Sequence, residues 1–227
     1  MDDLRYMGNT LVIAPHADDE ILGCGGTLSR LAAAGCPTTV AIVTKGTAPQ
    51  FSEKLVSQIY AETKAAHHLV GVGKTIYLDL PAAALDTVPA AQLNAALAGL
   101  MQDVAPETVF VPFVGDIHMD HQLTFLAALV ASRPRHLGAP RRIYAYETLS
   151  ETNWYAPGIT PAFIPNVFVD ISKTLETKLD AFRCFASQVR EFPDERSIEA
   201  IRALAIMRGA SMYLGAAEAY MLVRQID

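Results

Sequence analysis

Residues Ala14-Pro15-His16-Ala17-Asp18-Asp19-Glu20 set three acids and a histidine between the apolar run Leu11-Val12-Ile13 and a helix-like stretch over 21–34. A short apolar run followed by a helical pattern predicts a buried strand whose carboxyl end opens into this turn. In open α/β sheets, ligands bind outside the carboxyl ends of the strands, so the turn is a site address. His16 and Asp19 stand three positions apart, and as the chain enters its first helical turn both side chains can point one way. Two ligands of one metal need that arrangement, and Asp18 is left free beside them. Acids are also common in first helical turns, where they cap orphan amides and suit the dipole. Capping accounts for Asp18, Asp19 and Glu20 but not for His16.

Outward from this turn, residues 11–14, 20–34 and 38–44 read as strand, helix and strand, with Gly35 as the stop between the last two. A helix over 58–69 carries Ala61, Ala65 and Leu69 on one face. It is followed by a short strand over 75–78, a helix over 90–104 and a strand over 107–112. This alternation predicts α/β architecture: a Rossmann-like, mostly parallel sheet with helices on both faces and right-handed crossovers. Its first and fourth strands should flank the point where strand order reverses. Just beyond the fourth strand comes a second cluster, Gly115-Asp116-Ile117-His118-Met119-Asp120-His121, ahead of a helix-like stretch over 122–131. Both clusters are therefore expected in one crevice.

Together the two stretches resemble the PIG-L/LmbE family of zinc-dependent N-deacetylases, whose signatures are a (P/A)HPDDE turn and a later HxDH. Here they stand as His16-Ala17-Asp18-Asp19-Glu20 and His118-Met119-Asp120-His121. The likeness continues through Asn166-Val167-Phe168-Val169-Asp170-Ile171-Ser172, Lys178 and Ser187-Gln188, and so covers most of the chain. It implies one deacetylase domain over 1–227 and Zn²⁺ as cofactor. The implied zinc ligands are His16, Asp19 and His121, which leave a position open for water or substrate. Asp18 is the expected general base. His118, as the imidazolium, would stabilise the oxyanion or protonate the leaving amine, with Asp120 fixing its tautomer and raising its pKa. Two departures stand out: Ala17 replaces the usual proline, and an arginine associated with substrate hydroxyls in relatives has no match at Ile59 or Tyr60. An acetamido sugar is the default substrate by resemblance, and family members also act on other acylated amines.

Beyond these motifs, 142–147 and 166–170 look like strands, 175–186 and 197–213 like helices, and 219–224 like a final short strand or helix. The Pro- and Gly-containing stretch 149–165 reads as a long loop, a feature that is often functional. Its Glu151, Asn153, Trp154 and Tyr155 suit contact with a sugar substrate, although such aromatics equally cover neighbouring helices.

With 227 residues, 51% of them apolar, the chain is sufficient for one large domain. A net charge of -6 without long charged blocks argues against nucleic acid or an anionic membrane as the main partner and for a small-molecule substrate, which the resemblance implies is N-acetylated. No apolar run reaches the length of a membrane span, and Met1 to Arg5 lack signal-peptide character, so a cytoplasmic location without membrane insertion is expected. Self-association into a homo-oligomer is left open. Cys24, Cys36 and Cys184 lack any C-x-x-C pairing and read as free thiols. Leu22-Gly23-Cys24-Gly25-Gly26-Thr27 superficially resembles the glycine loop of nucleotide- and S-adenosylmethionine-binding folds. Those glycines come too late after the strand to cradle a phosphate, and close helix packing explains them as well. A sugar-binding relative without catalysis is the other alternative. His67, His68 and His136 lack comparable context and read as surface or core residues.

Overall fold

The computed structural model describes residues 4–152, 154–156 and 158–227. Strand β1 (Thr10–Ala14) is buried along its whole length, as a strand covered on both faces must be. Helix α1 (Asp19–Ala33) returns the chain to β2 (Thr38–Lys45), which pairs parallel with β1 in register Leu11 to Thr39. Helix α2 (Glu53–Val70) and β3 (Lys74–Pro81) extend the sheet on that side. Helix α3 (Ala90–Val104) then carries the chain across to β4 (Thr108–Pro112), which pairs with the other edge of β1. Strand order therefore reverses at β1 and β4. Helix α4 (Met119–Ala131) leads on to β5 (Arg142–Tyr146).

After β5 come α5 (Leu149–Thr152), β6 (Val167–Asp170), α6 (Leu175–Arg183), α7 (Ile198–Ala210) and β7 (Ala217–Gln225). The sheet runs β3-β2-β1-β4-β5-β7-β6, and β7 lies antiparallel to both its neighbours. Helix α1 packs on α6 and α2 on one face, and α3 packs on α4 on the other, so each face has its own apolar core.

The predicted boundaries hold within a few residues, with instructive exceptions. Helix α2 begins before residue 58, at Glu53, because the Ser52 hydroxyl caps it by accepting from the Leu55 amide at 3.2 Å. Glu53 and Lys54, which open that turn, are exposed and carry no apolar signal. Strand β3 reaches Pro81, beyond the predicted 75–78. The last element is a strand paired on both sides. Residues 149–165, read as loop, open with the short helix α5. Helices α6 and α7 stop at Arg183 and Ala210, short of the expected 186 and 213.

The glycines of α1 are packing residues. A Cβ on Gly23 would sit 2.3 Å from the Tyr146 ring, and one on Gly26 2.7 Å from Ile171, so neither position has room for a side chain. A buried ion pair fixes the same helix: Glu218 of β7 accepts from the amides of Gly26 and Thr27 and from Lys178 Nζ at 2.7 Å. All three cysteines are free. His67 is buried between Glu20 and Thr75, whereas His68 and His136 are exposed. Among the described residues, no helix is long and apolar enough to cross a membrane.

Candidate active site

The turns after β1 and β4 meet at the reversal of strand order, where open α/β sheets bind ligands. Asp18 is the residue before α1 and has φ 126°, a backbone region that non-glycine residues rarely adopt. Its side chain does not cap the helix. Glu20 accepts the Asp18 amide at 3.1 Å instead, so capping alone does not explain the acidic turn. The Asp19 carboxylate is the hub: its Oδ2 lies 2.9 Å from the His16 amide, 3.3 Å from His16 Nδ1 and 3.2 Å from His121 Nε2.

Helix α4 begins at Met119 rather than at 122, which puts the second motif on its first turn. His118 is the capping residue, and its Nδ1 accepts the Asp120 amide at 3.1 Å. His121, one turn in, is fully buried. Its Nδ1 lies 2.8 Å from Asp116 Oδ2, and Asp116 also accepts from the Thr152 hydroxyl at 2.6 Å. That contact turns Nε2 of His121 toward Asp19, where it makes no hydrogen bond of acceptable geometry. A buried, unsatisfied imidazole nitrogen beside a second imidazole and a carboxylate is the donor set that zinc takes. His16, Asp19 and His121 form one such grouping among the described residues, and His16, His118 and Asp120 form another. The first fits better, because Asp120 Oδ2 lies 3.0 Å from His16 Nε2 and so holds the ring with Nδ1 toward Asp19.

The expected pairing of Asp120 with His118 is therefore corrected. The Asp120 carboxylate is spent on His16 and on the amides of Ala83 and Leu85. The His118 pKa is lowered overall, by burial first and then by the nearby His16 charge, which together outweigh the upward pull of the Asp120 charge. Burial also works against protonation of His16 and His121. For His16, hydrogen bonds to Asp120 and Asp19 outweigh it and bring the pKa to about 9. For His121, the charge of Asp19 and the hydrogen bond to Asp116 bring it to about 10. Burial pulls Asp19 upward, but its two imidazole neighbours, His121 first, hold it well below the ordinary carboxylate range. Asp18 is pushed up to about 8 by burial and by the adjacent Asp19 charge, against the pull of Arg196.

A cavity of about 230 Å³ opens above the cluster and includes His16, Asp18 and His118 in its lining. Arg196 also lines it, 3.5 Å from Asp18 Oδ2, and donates to Gln188 Oε1 at 2.8 Å. Sequence reasoning missed Arg196 and Asp116. Arg196 sits in the loop before α7, far along the chain and outside any local pattern. Asp116 stands five residues before His121, and that spacing was the available signal. The structure does not bring Trp154 or Tyr155 into the cavity lining. Both are exposed, Glu151 is the member of that stretch which reaches the cavity, and Asn153 lies outside the described residues. Ile59 and Tyr60 line the cavity.

The chain is 30% identical over 184 residues to an uncharacterized deacetylase, YaiS, of Escherichia coli K12, covering 76% of this chain and 88% of that protein. It is 27% identical over 195 residues to the diacetylchitobiose deacetylase of Thermococcus kodakarensis, covering 82% and 70%. The fold is also that of GalB, the 4-carboxy-2-hydroxymuconate hydratase of Pseudomonas putida KT2440, with a TM-score of 0.78 at 21% identity over 97% and 98% of the two chains. A fold shared with a hydratase does not decide the reaction. The PIG-L profile, described as GlcNAc-PI de-N-acetylase, matches residues 11–132, from β1 to the end of α4, so it spans both motifs and more than half of the sequence. The chain belongs to the PIG-L family.

Proposed function

We propose that this chain is a zinc-dependent N-deacetylase that removes an N-acetyl or N-acyl group from an amino sugar or related small-molecule amide. The observation that carries the reading is the unsatisfied, buried Nε2 of His121 facing Asp19 and His16. These three residues would hold the metal. Bound zinc supplies a lowered pKa for water and polarisation of the amide carbonyl.

The protein's own groups divide the remaining work. Asp18, beside the cluster and buried, accepts the proton of the attacking water and returns it to the nitrogen as the C–N bond breaks. Carboxylate and free amine are the products. Because Nδ1 of His118 accepts a backbone amide, neutral His118 carries its proton on Nε2, and that N–H stabilises the developing oxyanion. Arg196 faces the Asp18 carboxylate and holds it oriented toward the cavity. Asp120 and Asp116 fix the two metal-facing rings. The nucleotide-binding alternative loses its support, since Gly23 and Gly26 are filled against by Tyr146 and Ile171.

The test is incubation of zinc-loaded protein with a panel of N-acetylated amino sugars and simple amides, with released acetate measured. Acetate release abolished by chelator and restored by zinc is the expected result. Turnover without acetate release, as in water addition to a double bond, would overturn the reading.

A further inference from the structure

The cavity lining is not uniform. Its charged groups fall in two places: Glu151 and Arg196 stand near Asp18 and His118, and Lys45 lies over the Tyr60 ring, 4.0 Å from Asp79. The part built from the end of β2, the start of α2 and β3 presents Ile42, Phe51, Val56, Ile59, Tyr60 and Tyr77. Three of the hydroxyls there, those of Tyr60, Thr63 and Thr44, are already engaged. Tyr60 donates to Asp79 Oδ1 at 2.7 Å, and Thr63 donates to the Ile59 carbonyl at 2.7 Å. Thr44 donates to the Pro15 carbonyl at 2.8 Å. Apart from the Lys45 ammonium and the Tyr77 hydroxyl, this part of the lining offers a ligand hydrocarbon and ring faces. A sugar ring pressed against it would lose water from its hydroxyls without regaining partners, whereas an apolar group would gain by leaving water.

Resting on the reading of this cavity as the deacylation site, we infer that the substrate carries an apolar group, alkyl or aryl, on the scissile amide, and that Val56 and Ile59 select for it. Both side chains are half-buried on the cavity side of α2, so they can be exchanged without emptying the core. The group can belong to the amine or to the acyl side, and the two arms of the experiment separate these sources.

Dissociation constants are measured for zinc-loaded protein with three probes: N-acetylglucosamine, N-benzylacetamide and N-hexanoylglucosamine. At least one apolar probe is expected to bind about tenfold more tightly than N-acetylglucosamine, and the tighter one reports which side of the amide lies on Val56 and Ile59. In Val56→Asn and Ile59→Asn that preference should shrink by more than half. N-acetylglucosamine binding as tightly as both apolar probes, or a preference unchanged in both folded variants, overturns the inference. Hydrolysis is scored separately: binding in the expected order without cleavage of any probe sinks the deacetylase reading and leaves the apolar subsite standing.

Discussion

The carboxylate of Asp120 lies 3.0 Å from Nε2 of His16, a residue 104 positions earlier, and so joins the two turns of the candidate metal site. Residues that orient a metal-binding imidazole typically cost about 10–100-fold in metal affinity when lost. Asp120→Ala should lower zinc affinity in that range, read by competition with a chromophoric chelator. Parental affinity with altered turnover alone would return Asp120 to a role on His118.

Asp18 and Asp19 are adjacent, yet Asp19 is the hub of the histidines and Asp18 faces Arg196. Asp18→Asn keeps shape and tolerates φ 126° better than alanine would. It should retain zinc while losing about two to four powers of ten in kcat. Asp19→Asn should lose most of the metal. Metal analysis beside acetate-release kinetics distinguishes the two, and the opposite pattern would exchange their roles.

The metal-free protein should lose stability as pH rises. His16 and His121 have folded pKa values of about 9 and 10, above the unfolded value of about 6.5, so their contribution is complete below about pH 6.5 and is lost as pH climbs through 9 to 10. Asp18, raised to about 8 from about 3.9 in the unfolded chain, adds a loss of the same sign between those values. Urea unfolding in chelator at pH 6.5, 8 and 9.5 should show falling midpoints. A flat profile would rule out proton binding by His16, His121 and Asp18 as a source of stability in the metal-free protein.

Lys178 and Glu218 form a buried pair that ties α6 and β7 to the backbone of α1. Removing one member strands the other charge, so Lys178→Met should destabilise by about 3–5 kcal/mol in urea unfolding. Replacing both, Lys178→Met with Glu218→Gln, should recover part of the loss. A single variant as stable as the parent would show the pair to be solvated.

Trp154 is 58% exposed and outside the cavity lining. Trp154→Ala should therefore leave KM and kcat at parental levels, whereas Glu151→Ala, at the cavity, should change at least one of them. A raised KM for Trp154→Ala would return Trp154 to the substrate cleft.

The sequence by itself determined the alternation of strands and helices and the two turns that carry His16 with Asp19 and His118 with His121. Each follows from local period and from spacing within a few residues, which steric and hydrogen-bonding rules convert directly into geometry. Only the tertiary structure decided what completes the site. Asp120 serves His16 rather than its neighbour His118 because the β4 turn folds across to the β1 turn, and Arg196 reaches Asp18 because α7 packs back beside α6. The apolar part of the cavity lining likewise draws on β2, α2 and β3, none of which carries a motif. Contacts between elements distant in sequence arise from the packing of whole layers, so no short window of residues encodes them.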